Sequence, residues 1–253
     1  MKKKALITGA TSGIGEACAK LLASHNYDLV LAARRNDRLN TLAAKLTTEH
    51  GIQIQLITLD VRNNQQVQAN LGALPEEWKA IDVLINNAGL SQGLSPINEG
   101  DTDDWDTMID TNVKGLLYVT KVVSNWMVNR KKGHIINIGS IAGKETYLNG
   151  NVYCATKHAV DSLNQAMRID LLPYKIKVSA INPGAVNTEF SEVRFKGDKQ
   201  RAEKVYEGFQ PLAAADIADA VWYVLSLPPH VNINDLTIMP LAQANTVHLF
   251  REG

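Results

Sequence analysis

Ala5-Leu-Ile-Thr-Gly-Ala-Thr-Ser-Gly-Ile-Gly15 holds a strand end, a glycine turn and a helix start in one short stretch. Ala5 to Thr8 is a brief apolar run closed by glycine, which suits a buried strand. From Ile14 onward, apolar Ile14, Ala17, Cys18, Leu21 and Leu22 recur three and four apart, so a helix is expected over 14–25. Gly9, Thr11, Ser12, Gly13, Ile14 and Gly15 form the link. Glycines there permit a tight turn and close backbone approach, and the first amides of a helix attract an anion. Strand, glycine turn and helix in this order point to phosphate binding. The spacing is Gly-x-x-x-Gly-x-Gly, not the commoner Gly-x-Gly-x-x-Gly. A turn that merely needs glycine is the competing reading.

The pattern repeats outward from this unit. Strand character recurs at 28–33, 52–59, 81–85, 134–138, 177–181 and 236–239, separated by helical periodicity at 37–49, 63–71, 101–130, after 153 and at 216–225. Such alternation calls for an α/β fold: a doubly wound parallel sheet with helices on both faces. No repeat or linker divides residues 1–253, so one domain is expected. Ligands on such sheets lie at the carboxyl ends of the strands. Gly9 to Gly15, Arg34, Asp60, Asn86 and Ser140 all fall at that end of their strands. The second strand closes in Arg34-Arg35 with no acidic residue, and arginine suits a ribose 2′-phosphate, which selects NADP as cofactor. Surface arginines are the alternative, and Arg38 either joins the pair or sits on the solvent face of its helix. Asn112 stands mid-helix among apolar neighbours, and Gly115 implies close packing. The polar, weakly periodic segment 190–210 suits a substrate lid.

Ser140 follows a buried-looking strand, and Tyr153 and Lys157 stand four apart on a predicted helix, on one face of it. A hydroxyl, a phenol and an ammonium can therefore converge. A cation about 5 Å from a phenol, at an effective dielectric of about 20, favours the phenolate by about 3 kcal/mol, or about two pKa units. That would bring Tyr153 into range for general acid–base work, with Ser140 holding a carbonyl or alcohol oxygen beside it. An ordinary helix pair and a loop hydroxyl are the plain alternative.

Lys plus Arg and Asp plus Glu number 26 each, and this neutrality argues against nucleic acid as a partner. Cys18 and Cys154 have no metal-ligand spacing and are too few for a disulfide framework; a reducing, cytoplasmic setting is expected. No metal site is expected. The apolar run after Lys2-Lys-Lys4 breaks too early for a signal peptide, and no stretch has the length of a membrane span. His134 and His230 read as loop residues.

Thr8-Gly-x-x-x-Gly-x-Gly15, Asn86-Asn-Ala-Gly89, Asn112, Ser140 and Tyr153-x-x-x-Lys157 together resemble the short-chain dehydrogenase/reductase family over essentially the whole chain. The resemblance implies a Rossmann-type sheet of about seven strands and hydride transfer to or from nicotinamide. Tyr153 would be the general acid/base. Lys157 would bond the nicotinamide ribose and lower the Tyr pKa, Ser140 would orient the substrate oxygen, and Asn112 would hold a water in a proton relay. Asp60 and Val61 would flank adenine, Asn87, Ala88 and Gly89 would line the adenosine side, and Pro183, Gly184, Val186 and Thr188 would touch the nicotinamide. Asn137-Ile-Gly-Ser140, Gly150-Asn-Val-Tyr153, Thr188-Glu-Phe-Ser191, Val193-Arg-Phe-Lys-Gly-Asp198 and Pro229-His-Val-Asn-Ile-Asn234 are similar to the NADP-dependent 3-hydroxy acid dehydrogenases, also described as serine or L-allo-threonine dehydrogenases. That group implies a short hydroxy acid substrate and a homotetramer. The similarity lapses at Lys144-Glu145-Thr146.

Arg194, in the expected lid, suits bidentate binding of a substrate carboxylate; pairing with Glu192 or Asp198 at the surface is the alternative. A reductase of larger carbonyl compounds and a non-catalytic NADP-binding regulator are the competing functions.

Overall fold

In the computed structural model, which describes residues 2–252, chain order alternates as the periodicity predicts. β1 (Lys4–Thr8), α1 (Gly13–Ser24), β2 (Asp28–Ala33), α2 (Asn36–His50), β3 (Ile54–Thr58) and α3 (Asn64–Gly72) form the first half. β4 (Val83–Asn86), α4 (Thr102–Ile109), α5 (Leu116–Arg130), β5 (Gly133–Ile138), α6 (Asn151–Leu171) and β6 (Ile176–Pro183) follow. The seven-stranded sheet has the order β3-β2-β1-β4-β5-β6 and ends on a last strand, Asp235–Ile238. Every pairing in it is parallel. Strand order reverses between β1 and β4, so the loops after those two strands part and leave a crevice between them.

The inner strands are buried on both faces, which is why β1, β2 and β4 read as nearly unbroken apolar runs, whereas the edge strands β3 and Asp235–Ile238 are partly exposed. Side chains of β1 alternate between two cores. Ala5 and Ile7 pack with Cys18 and Leu22 of α1 and Leu39 of α2, whereas Leu6 packs with Leu71 of α3, Val123 of α5 and Val160 of α6. Full burial of each such leucine, isoleucine or valine contributes about 1.5–3 kcal/mol.

The region 101–130, expected as one helix, is interrupted. A π-helical turn, Asp110–Gly115, separates α4 from α5. A Cβ on Gly115 would come within 2.6 Å of Val61, so the backbone there lies against the loop after β3. The segment 190–210 is more regular than its polarity suggests. β7 (Val186–Asn187) pairs in parallel with β8 (Leu212–Ala213), and α7 (Phe190–Arg194) and α8 (Lys199–Lys204) lie between them. Short helices there were masked by a charge-rich sequence without a long apolar stripe. α9 (Ala214–Ser226) then leads to β9 (Asp235–Ile238).

His134 is not a loop residue. It lies buried in β5, with Nε2 2.8 Å from the Ser179 hydroxyl, and burial pushes its pKa down to about 3. The folded chain therefore keeps this ring neutral, while the unfolded chain protonates it below about pH 6.5. The unfolded state then holds the extra proton, so stability is full above pH 6.5 and falls towards pH 3 by at most about 1.4 kcal/mol per pH unit from this residue. A His134→Gln variant should show a shallower loss of stability between pH 6.5 and 4.5 in urea unfolding; an unchanged slope would remove His134 from the acid limb.

Candidate active site

The crevice at the strand reversal is held in shape by Thr8 and Asn87. The Thr8 hydroxyl accepts from the Asn87 and Ala88 amides at 3.0 Å each. The Asn87 side chain donates back to the carbonyls of Thr8 and Gly9 at 3.0 and 3.2 Å. The tip after β4, which looks flexible in sequence, is thus tied to the glycine turn. Gly15 makes that fit possible: a Cβ on it would lie 2.4 Å from the Gly9 carbonyl oxygen and 2.5 Å from Asn87 Nδ2. Ser12 occupies the N-cap of α1, yet its side chain makes no capping bond, so the first amides of the helix face the crevice without an internal acceptor.

A cavity of about 320 Å³ runs along the carboxyl ends of the strands from this turn to Tyr153 and Lys157. Of the residues nominated from sequence, Gly15, Arg38, Asn86, Asn112 and Arg194 do not line it and the other named site residues do; Asn86 instead donates to Thr120 and Asn137. Asp60 does so beside Val61, its carboxylate bonded to Arg62 at 2.6 Å. That hydrogen bond, working against burial, holds the Asp60 carboxyl below the ordinary range.

Arg34 and Arg35 do not act as the equal pair their adjacency suggests. Arg34 faces the cavity and makes no ion pair among the described residues. Arg35 is engaged: its Nε and Nη2 reach the Thr11 side chain and carbonyl at 3.4 Å, and Nη1 bonds Glu189 at 2.9 Å. Arg38 joins from α2, bonding the other Glu189 oxygen at 2.6 Å. Glu189 had no signal in the sequence that linked it to residues more than 150 positions earlier.

Ser140 lies two residues past β5 and caps a 3₁₀ turn, its oxygen accepting from the Ala142 amide at 3.1 Å. Tyr153 and Lys157 leave α6 on the same side, and both are buried. Lys157 Nζ donates to the Ile138 carbonyl at 3.0 Å and lies 6.0 Å from the Tyr153 ring centre. The electrostatics differ from the expectation. Burial raises the Tyr153 pKa above its ordinary value, Tyr147 adds to this, and Arg194 and a hydrogen bond from Ser140 oppose it. Burial alone lowers Lys157 to about 8. The two-unit depression by Lys157 is therefore not a property of the protein by itself. Both groups lose hydration together, and that loss outweighs the pull of the nearby Arg194 cation on the phenol.

Asn112 sits in the π turn with its amide committed. It donates to the Leu90 carbonyl at 2.8 Å and the Thr156 hydroxyl at 3.0 Å, and accepts from the Leu90 amide at 2.8 Å. The side chain ties the β4 loop to α6, with both of its N–H groups donated to protein partners. This meets the question raised by a mid-helix amide among apolar neighbours.

Arg194 pairs with neither Glu192 nor Asp198. Its Nε donates to the Ser91 hydroxyl at 2.9 Å and its Nη2 to the Tyr147 hydroxyl. The guanidinium lies 5.1 Å from the Tyr153 ring centre and 5.5 Å from that of Phe190. A second cavity of about 270 Å³ opens on this side, lined by Ser91, Asn149, Asn151, Trp105 and Arg194. Tyr153 borders both cavities. Ser91, Tyr147 and Phe190 were not foreseen, because only the path of the loops brings them to Tyr153. Lys144 bonds Asp161 and Asp235, each at 2.6 Å, and Glu145 accepts from Thr246; neither lines either of these two cavities, so the segment where the sequence similarity lapses is tied to α6, the last strand and the chain's C-terminal part.

A parallel sheet with a glycine turn at its strand reversal, and a phenol–ammonium pair at the far end of the same crevice, defines an α/β protein of the dinucleotide-binding class. The chain belongs to the short chain dehydrogenase family, whose model matches residues 3–199. It is 46% identical over 240 residues to the NADP-dependent 3-hydroxy acid dehydrogenase YdfG of Escherichia coli (strain K12), covering 94% of this chain and 95% of that one. It is 39% identical over 251 residues to the NADP-dependent 3-hydroxy acid dehydrogenase of Schizosaccharomyces pombe, covering 99% and 97%. Among solved structures, the closed form of serine dehydrogenase complexed with NADP+ superposes with a TM-score of 0.91 at 44% identity, covering 98% of this chain and 100% of that one.

Proposed function

We propose that this chain is an NADP-dependent dehydrogenase that transfers a hydride between the cofactor and the 3-hydroxyl or 3-oxo group of a short hydroxy acid. The observation that carries the reading is the position of Tyr153 on the border of two cavities, with the Arg194 guanidinium over its ring. The larger cavity suits the cofactor. Its glycine turn has no room for a side chain at Gly15, and an unpaired arginine stands at its β2 end. The α1 turn would hold the pyrophosphate, Arg34 and Arg35 the 2′-phosphate, Asp60 and Val61 the adenine, and Lys157 with Pro183 to Thr188 the nicotinamide half. Bound NADP supplies the hydride acceptor.

The chain's own residues supply the rest. Ser140 orients the substrate oxygen, and Tyr153 exchanges the proton at that oxygen. Arg194 retains donors beyond those used on Ser91 and Tyr147, which can engage a carboxylate in the second cavity. A buried phenol held above its ordinary pKa stays protonated at neutral pH, so the deprotonated form that accepts the alcohol's proton, and with it alcohol oxidation, should rise with pH.

Cytoplasmic location and a homotetramer remain part of this proposal. Cys18 and Cys154 are free and buried, and among the described residues no helix is long and apolar enough to cross a membrane. Exposed Leu117, Ile169, Leu172 and Leu241 leave apolar surface for subunit contact, and a monomer by sedimentation would remove the tetramer.

Formation of NADPH from L-serine, L-allo-threonine, 3-hydroxypropionate, 3-hydroxyisobutyrate and a neutral secondary alcohol, with NAD in parallel, tests the reading. Arg194→Leu should raise KM for the acids by about tenfold or more, the loss of one charge-assisted contact, and leave the neutral alcohol within about threefold. Equal effects on both substrate classes would exclude the carboxylate role.

A further inference from the structure

Glu189 has no place in the chemistry above, yet its carboxylate occupies the group that the cofactor would use. One oxygen takes Arg35 at 2.9 Å and the other takes Arg38 at 2.6 Å. Burial works against ionisation of Glu189, but the hydrogen bonds from Arg38 and Arg35 outweigh it, so the carboxylate is charged at neutral pH. The residue immediately precedes α7, and its neighbour Thr188 packs against the glycine turn, 3.3 Å from a Cβ built on Gly13. The three side chains come from the end of β2, the first turn of α2 and the start of the lid. The resulting cluster is poised at the β2 end of the cofactor cavity, which Arg34, Arg35 and Glu189 all line.

We infer that Glu189 is a specificity-determining residue: an internal anion that competes with the ribose 2′-phosphate for Arg35 and so limits the preference for NADP over NAD. The inference rests on the reading of Arg34 and Arg35 as the 2′-phosphate site. Three N–H groups of Arg35 are already used on Thr11 and Glu189, whereas Arg34 has no internal partner among the described residues. Arg34 is thus the open anchor, and Arg35 the contested one. A phosphate carries about 1.5–2 negative charges near neutrality against one on the carboxylate, so it can displace Glu189 but must do so against attraction. These pairs are partly exposed, so the competition is modest and weakens with salt.

The test uses adenosine 2′,5′-bisphosphate and adenosine 5′-monophosphate as probes, titrated calorimetrically into the full chain at low and high ionic strength. Glu189→Gln should bind the bisphosphate about two- to fivefold more tightly, the range expected of exposed ion pairs, and the gain should shrink with salt. Monophosphate binding should stay unchanged and thereby report an intact glycine turn. Weaker binding of the bisphosphate would mean that Glu189 orients Arg35 instead of competing, and unchanged binding would mean that it does neither; either result overturns the inference. An Arg34→Ser/Arg35→Ser variant examines the underlying reading separately. Loss of its discrimination between the two probes supports the 2′-phosphate site whatever Glu189 does, whereas retained discrimination removes that site and the inference with it.

Discussion

A Tyr153→Phe variant is expected to lose about 10²–10⁴-fold in kcat, the usual contribution of a positioned general acid or base, while binding NADPH within about threefold of the parent. The substitution removes one oxygen and keeps the ring. That ring packs with Leu90, Met108, Ala142 and Cys154 and lies 5.6 Å from Phe190, contacts phenylalanine can reproduce. No bulk change in stability should follow, because the phenol is a terminal group bordering two cavities. The residual rate should also lose the alkaline rise in alcohol oxidation expected of a phenol whose pKa burial has raised. Stopped-flow NADPH formation together with fluorescence titration of the cofactor separates chemistry from binding. A variant that keeps kcat within about tenfold would remove Tyr153 from proton transfer, and with it the enzymatic reading of the crevice.

Gly15→Ala should be the most damaging small change in the glycine turn beside the larger cavity. The added methyl would stand 2.4 Å from the Gly9 carbonyl and 2.5 Å from Asn87, neither of which can move alone, since Asn87 also bonds the Thr8 carbonyl. Either the turn opens or the Asn87 bonds break. Overpacking of this kind costs about 1–3 kcal/mol, which for a chain of this size lowers Tm by about 2–12 °C. NADP binding should weaken by about tenfold or more, because the displaced amides are those at the start of α1. Gly72→Ala is the matched control: a Cβ there meets nothing within 4 Å, and alanine is the better helix former. Equal Tm and cofactor affinity in the two variants would contradict the packing assigned to Gly15.

Much of this site could be read from the chain because it depends on where strands end. Thr8, Arg34, Asp60, Asn86 and Ser140 mark five carboxyl ends, and a parallel sheet places such ends along one edge. Tyr153 and Lys157 needed only the helical repeat. Electrostatics were less accessible. Lys157 was expected to depress the phenol, but the pKa of a buried group is governed by lost hydration, which spacing does not report. The π turn at Asn112 escaped notice as well, since one extra residue per turn leaves no compositional mark.

Local order alone therefore determined the succession of strands and helices, the glycine turn and the pairing of phenol with ammonium, because each is written in neighbours within a turn or a strand length. Tertiary structure alone decided that Arg194 turns inward to Tyr147 and Ser91, that Glu189 clasps Arg35 and Arg38, and that Asn112 spends its amide on Leu90. Those contacts join segments about 20 to more than 150 residues apart. Partners at such distances are selected by how loops pack over the sheet edge, and neither residue of a pair carries a periodic signal of the other.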